Sequence, residues 1–102
     1  MLYNRNNKIY YVYITASISR VLYIGVTHNV YERVIRHKQA NDSTAFTARY
    51  RVNRLVYYEE FENIYDALAR EKQLKKWRRE KKLQLINRLN PDWIDLSLEW
   101  FG

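Results

Sequence analysis

The 102 residues include no cysteine, and only two histidines, two glycines and one proline. Without thiols there is no disulfide framework, no thiolate zinc site and no cysteine nucleophile, and two histidines cannot assemble a histidine-rich metal centre. Gly25, Pro91 and Gly102 are the only residues of their kinds, so no flexible linker divides the chain, and neither a repeat nor a low-complexity segment is present. Long apolar runs are missing too. The longest, Ile9 to Ile14, is far too short to span a bilayer, and the N-terminal MLYNRNNK lacks the apolar core of a signal peptide. These absences predict one domain over residues 1–102, built on a single modest core, in a cytoplasmic protein with no membrane association.

Positive charge is abundant. Eighteen Lys and Arg against eleven Asp and Glu leave a net charge of +7, the balance expected of a protein that meets polyanions, with nucleic acid the first candidate. Solubility alone also accounts for such a balance in many small proteins. The charge is concentrated: from Arg70 to Lys82 eight basic residues stand against two acidic ones, Glu71 and Glu80. Such a run suits a solvated helix face. It suits equally a surface that tracks a phosphate backbone, with Arg70, Lys72, Lys75, Lys76, Arg78 and Arg79 as the contacting residues.

Residues 9–16 (IYYVYITA) and 21–26 (VLYIGV) are aromatic and β-branched, and the polar SISR between them predicts a β-hairpin. In the second strand Leu22, Ile24 and Val26 share a face, which turns Tyr23 and Gly25 together to the other. Val30, Tyr31, Val34 and Ile35 give residues 29–40 helical spacing, with Arg33 and His37 along one margin of the apolar arc. A short helical turn capped near Asp42 or Ser43 is expected, then a third strand, RLVYYEEF, at 54–61. From Ile64 the pattern is helical as far as Pro91, with Trp77 out of phase and marking a break between two helices. Asn90 and Pro91 suggest the cap and first position of a further helix.

One acid stands out. Ile64, Ala67, Leu68 and Leu74 define an apolar stripe, and Glu71 falls at its centre with Lys75 one turn later. A core-facing carboxylate is costly without a partner. An i, i+4 pair with Lys75 at the helix edge would answer that cost. So would a hard divalent cation, with water and substrate phosphate completing its shell. Glu59, Glu60 and Glu62 alternate across the end of the third strand and are expected to be solvated.

In order along the chain, Tyr11-Val12-Tyr13, Tyr23-Ile24-Gly25, GVTHNVYERVIRHK, FTARYRVNRLVYYEEF, AREKQLKKWRREKKLQLI and NPDWIDLS resemble the GIY-YIG endonucleases, in particular their small stand-alone bacterial branch. The resemblance runs from about residue 8 to about residue 97. It implies an α/β (α+β) fold, a three-stranded antiparallel sheet flanked by helices, that hydrolyses phosphodiester bonds with one divalent metal, Mg²⁺ or Mn²⁺. Such enzymes act in nucleotide-excision repair, homing and restriction. By motif, Tyr23 would be the general base or water-orienting phenol, Tyr13 its support, Arg33 the phosphate stabiliser, His37 an aid to proton transfer and Glu71 the metal ligand. Gly25 would support the site, as would the family's asparagine, assigned to Asn90 ahead of Asn87. The first motif departs from the pattern in carrying Tyr11 where its glycine is expected.

Phosphodiester hydrolysis needs an activated water, charge stabilisation on the phosphoryl oxygens and help for the departing oxygen. A phenol with its ordinary pKa of about 10 is a poor base, so this role requires nearby positive charge or a proton acceptor, for which His37 is the natural choice. A two-metal nuclease needs several converging carboxylates, and only Glu71 is centred on a core-facing stripe. Tyr13 and Tyr23 also suit an ordinary cross-strand aromatic pair. Two other functions therefore stand beside a nuclease acting on DNA: a non-catalytic nucleic-acid-binding module of the same fold, and a domain whose basic face meets an acidic protein. With no separate recognition domain, specificity is expected from short loops, a protein partner or self-association.

Overall fold

The computed structural model describes residues 9–30, 33 and 51–98. Strands β1 (Tyr10–Ala16), β2 (Leu22–Thr27) and β3 (Arg54–Phe61) form one antiparallel sheet in the order β2-β1-β3, followed by helices α1 (Ile64–Lys76) and α2 (Arg79–Leu89). The expected α+β architecture is present, each strand within one residue of its expected bounds. No helix among the described residues is long and apolar enough to cross a membrane. The predicted turn near Asp42 and Ser43, and His37 with the rest of its helix beyond Arg33, lie outside the described residues.

The SISR loop closes the β1–β2 hairpin. Arg20 donates its N–H to the Ser17 carbonyl at 2.9 Å, and Val21 donates to the Ser17 hydroxyl at 3.0 Å, with Arg20 itself left-handed at φ 67°. Strand alternation then sorts side chains onto two faces. Val12, Ile14, Ala16 and Ile24 bury one face against Ala67 and Leu74 of α1, Leu85 and Ile86 of α2, and Trp93. Tyr13, Val30 and Leu55 form a smaller cluster on the other, joined by Tyr11, Tyr23 and Leu96.

A bulge keeps β3 in step with both faces. The pairing runs Ile14 to Tyr57 and then Thr15 to Leu55, so Val56 is the extra residue. That insertion places Leu55 beside Tyr13 while Val56 and Tyr57 stay on the α1–α2 face. Asn90 secures the bulge. Buried at the C-cap of α2, it donates through Nδ2 to the carbonyls of Val56 (3.1 Å) and Ile94 (2.9 Å), and its Oδ1 accepts from the Ile94 N–H at 3.0 Å. The expected helix start at Asn90-Pro91 is thus corrected: Asn90 ends a helix, Pro91 and Asp92 turn, and Trp93 is left-handed at φ 52°. The side-chain bonds of Asn90 outweigh the local preference of proline for a first helical position.

Asn63 caps α1 by accepting the Tyr65 N–H at 2.7 Å, and the expected break falls at Trp77 and Arg78, both extended. Leu68 departs from expectation. It is 45% exposed, leaving Ala67 and Leu74 as the buried residues of α1.

Glu59 is not merely solvated, as the strand-end pattern suggested. The Arg70 guanidinium binds it through Nε (3.0 and 3.2 Å) and Nη2 (2.9 Å), and the Tyr57 hydroxyl donates to its Oε2. The cluster ties β3 to α1. Burial, together with the Glu59 carboxylate, raises the Tyr57 pKa from 10 to about 12, partly offset by Arg70.

Two outcomes follow from this packing. Asn90→Ala orphans buried backbone groups at about 1–3 kcal/mol each, and thermal unfolding should register a Tm at least ~5 °C lower. The raised pKa means that folded Tyr57 holds its proton more tightly than the unfolded chain does. Its contribution is complete below pH 10 and lost as pH rises from 10 to about 12. The stability difference between wild type and Tyr57→Phe, from urea melts, should shrink over that window, and a difference that stays flat would contradict the assignment.

Candidate active site

Tyr13 lies mid-strand in β1, 1% exposed, opposite Gly25 in the β1–β2 ladder. Its ring passes directly over that glycine: a Cβ at position 25 would sit 2.5 Å from Tyr13 Oη and 2.7 Å from Cζ. Only glycine leaves that room. Tyr13 thereby reaches across β2, an edge strand, to Tyr23 on the same face, with ring centroids 6.2 Å apart and planes tilted by 39°. Both tyrosines are engaged in further contacts, and Tyr23 remains half-exposed.

Thr15 shares this face and pairs with Tyr23 in the ladder. Its Oγ1 is buried and without a hydrogen-bond partner. The sequence reasoning missed this residue, although its i+2 spacing from Tyr13 was the available signal. Tyr11 packs edge-on to Tyr58 with centroids 6.0 Å apart, and burial, then the Glu60 carboxylate, raise its pKa. It fills the motif's glycine position as a neutral packing group.

Arg33 follows one turn into the helix that leaves β2. Its N–H donates to the Asn29 carbonyl at 3.1 Å, and Val30, three residues earlier, packs with Tyr13 and Leu55. Arg33 itself is half-buried, three residues after Val30.

Glu71 belongs to the other layer. Ala67 and Leu74 point α1 at the opposite sheet face, with Arg70 and Glu71 on the two flanks of that contact line. Arg70 reaches Glu59 on β3, so Glu71 flanks the β2 side. Its side chain is 20% exposed and pairs with Lys75 at 3.3 Å, the lysine itself being 55% exposed. The structure therefore brings Tyr13, Tyr23 and Gly25 together on one face, with Arg33 following Val30 of that face's cluster, and sets Glu71 on the helix that covers the other.

Among the described residues no group of three or more His, Cys, Asp or Glu could cage a metal. A single half-exposed carboxylate fits a magnesium-like ion, which keeps most of its waters and takes one or two protein carboxylates. Asn90 and Asn87 are both occupied: Asn90 on the β3 bulge, and Asn87 Oδ1 by the Trp93 Nε1–H at 2.5 Å. Within the basic run Arg70 is held by Glu59, and Arg79 donates to the Arg20 carbonyl at 2.6 Å. Lys72, Lys76 and Arg78 are exposed.

The model of the GIY-YIG catalytic domain matches residues 9–84. A UPF0213 protein of Syntrophus aciditrophicus is 37% identical over 82 residues, covering 80% of this chain and 93% of that protein. One of Clostridium perfringens is 40% identical over 77 residues, covering 76% and 82%. The solution NMR structure of the UPF0213 protein of Bacillus halodurans superposes with a TM-score of 0.53 at 24% identity, covering 88% of this chain and 96% of that one, which shows a shared fold. Both tyrosine motifs, Arg33 and Glu71 fall inside the matched span, and the chain belongs to the GIY-YIG family, a family of nucleases.

Proposed function

We propose that the protein is a metal-dependent endonuclease that hydrolyses phosphodiester bonds in DNA. The observation that carries this reading is the passage of the Tyr13 ring over Gly25 to the side of Tyr23. An ordinary cross-strand aromatic pair has no need of a glycine beneath one ring, whereas a phenol delivered to a sheet edge does.

In this mechanism Tyr23 accepts a hydrogen bond from the attacking water and orients it, passing its own proton towards His37 as the water's proton arrives. Tyr13 holds the Tyr23 ring in place. Arg33 takes the non-bridging phosphate oxygens, on which negative charge grows in the transition state. Glu71 would hold a divalent cation, Mg²⁺ or Mn²⁺, which when bound would supply further positive charge at the phosphate and the departing oxygen. One such centre per chain suits nicking of a single strand. The Lys75 ion pair on Glu71 favours a second reading, a non-catalytic module in which that pair is permanent and the basic run alone binds nucleic acid.

Incubation with Mg²⁺ or Mn²⁺ and a panel of branched, flapped, damaged, single-stranded and duplex DNA, and RNA, separates the two. Glu71→Ala should abolish cutting while circular dichroism and Tm stay close to wild type, and Arg33→Ala should lower the rate by about 10²–10³-fold. Equal activity of wild type and Glu71→Ala on every substrate would leave only the binding module. Gly25→Ala should displace the Tyr13 ring and lower cleavage at least ~10-fold, since small misplacements of catalytic groups cost up to ~10² in rate.

A further inference from the structure

The elbow between α1 and α2 carries a feature that the tyrosine face does not use. Lys76, Trp77, Arg78, Glu80, Lys81 and Gln84 line an open depression of about 470 Å³, inside the ~300–1,000 Å³ typical of small-ligand sites. The half-buried Trp77 packs against the core, and its backbone N–H is tied to the Leu74 carbonyl at 3.1 Å. Two cations lie over its indole: the Arg70 guanidinium 5.1 Å from the ring centroid and the Lys81 ammonium at 4.1 Å. Arg70 is anchored to Glu59, whereas Lys81 is exposed.

A surface that only tracks duplex phosphates needs cations, and an indole adds nothing to it. Here three cations and one acid surround a concave site with an aromatic wall. Duplex bases are stacked upon one another and offer no free plane, so an indole can stack only on a base that is unpaired or flipped out. We propose that the elbow is a second nucleic-acid-binding site that takes one unpaired nucleotide, its base stacked on Trp77 and its phosphates held by Lys76, Arg78 and Lys81. Lys81 exchanges its weak exposed contact with the ring for the incoming phosphate, so its charge stays partnered. Gln84 supplies both an amide donor and an acceptor at the rim. The site rests on the nucleic-acid part of the proposed function and not on the cleavage chemistry. It directs the protein to substrates with single-stranded character.

Binding is tested on the full chain in chelator, where cleavage is not measured, with a labelled single-stranded oligonucleotide and the corresponding blunt duplex at one fixed salt concentration. The single strand should bind more tightly and quench tryptophan fluorescence. Trp77→Leu should remove the quench and weaken single-strand binding by roughly 5- to 150-fold, the range typical of one base–aromatic stack, while duplex affinity changes less than about twofold. Lys81→Gln, at an exposed position, should weaken single-strand binding and lower the slope of log affinity against log salt by about one. It keeps the test decisive should Trp77→Leu fail to fold. Equal affinity for the two forms, absence of quenching, or equal losses for both forms in either variant would overturn the elbow site. Failure here leaves the Glu71 cleavage test standing, and an inactive but strand-selective protein leaves the elbow site standing.

Discussion

The candidate site depends on one missing methyl group. With no Cβ at position 25, the far end of the Tyr13 ring lies over the backbone of β2, an edge strand. Any other residue there would place a Cβ 2.5 Å from Tyr13 Oη, and the ring would have to shift. Among the described residues the larger apolar cluster lies on the opposite face, where α1 and α2 pack.

The described residues form a three-stranded sheet, and the helix that carries Glu71 covers the face opposite the tyrosines. Arg70 and Glu71, adjacent in sequence, are sent to opposite flanks by the 100° step of the helix. One is bound into the Tyr57–Glu59 cluster that holds α1 to β3, and the other is left at the open edge. A charged residue bound into the β3 cluster and one paired with a largely exposed lysine thus differ by a single helical step.

Much of this was legible in the sequence because it follows from periodicity. Alternation placed Tyr23 and Gly25 together, opposite Leu22, Ile24 and Val26. The phase slip at Trp77 marked the helix break, and the spacing of Glu71 from Ala67 and Leu74 put it on the sheet-facing side. What escaped depended on pairings distant in the chain. The Val56 bulge has no local signal, because its cause is the Asn90 side chain 34 residues later. Asn90 itself was misread through its neighbour Pro91, a local preference overridden by tertiary hydrogen bonds. Glu59 was assigned to solvent because its partner Arg70 lies in the next element, and Leu68 was assigned to the core because a helical stripe does not reveal how wide the buried contact is.

The pairing of Glu71 with Lys75 is consistent with a site that assembles on its substrate. An exposed ion pair of this kind contributes only ~0–1 kcal/mol, since the lysine is largely solvated and loses side-chain freedom in forming it. Such a pair orients the carboxylate without holding it firmly. In the proposed nuclease, an arriving phosphate backbone attracts Lys75 as strongly as the carboxylate does, and a hydrated divalent cation can then take the lysine's place on Glu71. A lone carboxylate binds such a cation weakly in the absence of phosphate. The metal and the nucleic acid are therefore expected to bind together. In the proposed nuclease the net charge of +7, concentrated from Arg70 to Lys82, would supply the attraction for the phosphate backbone.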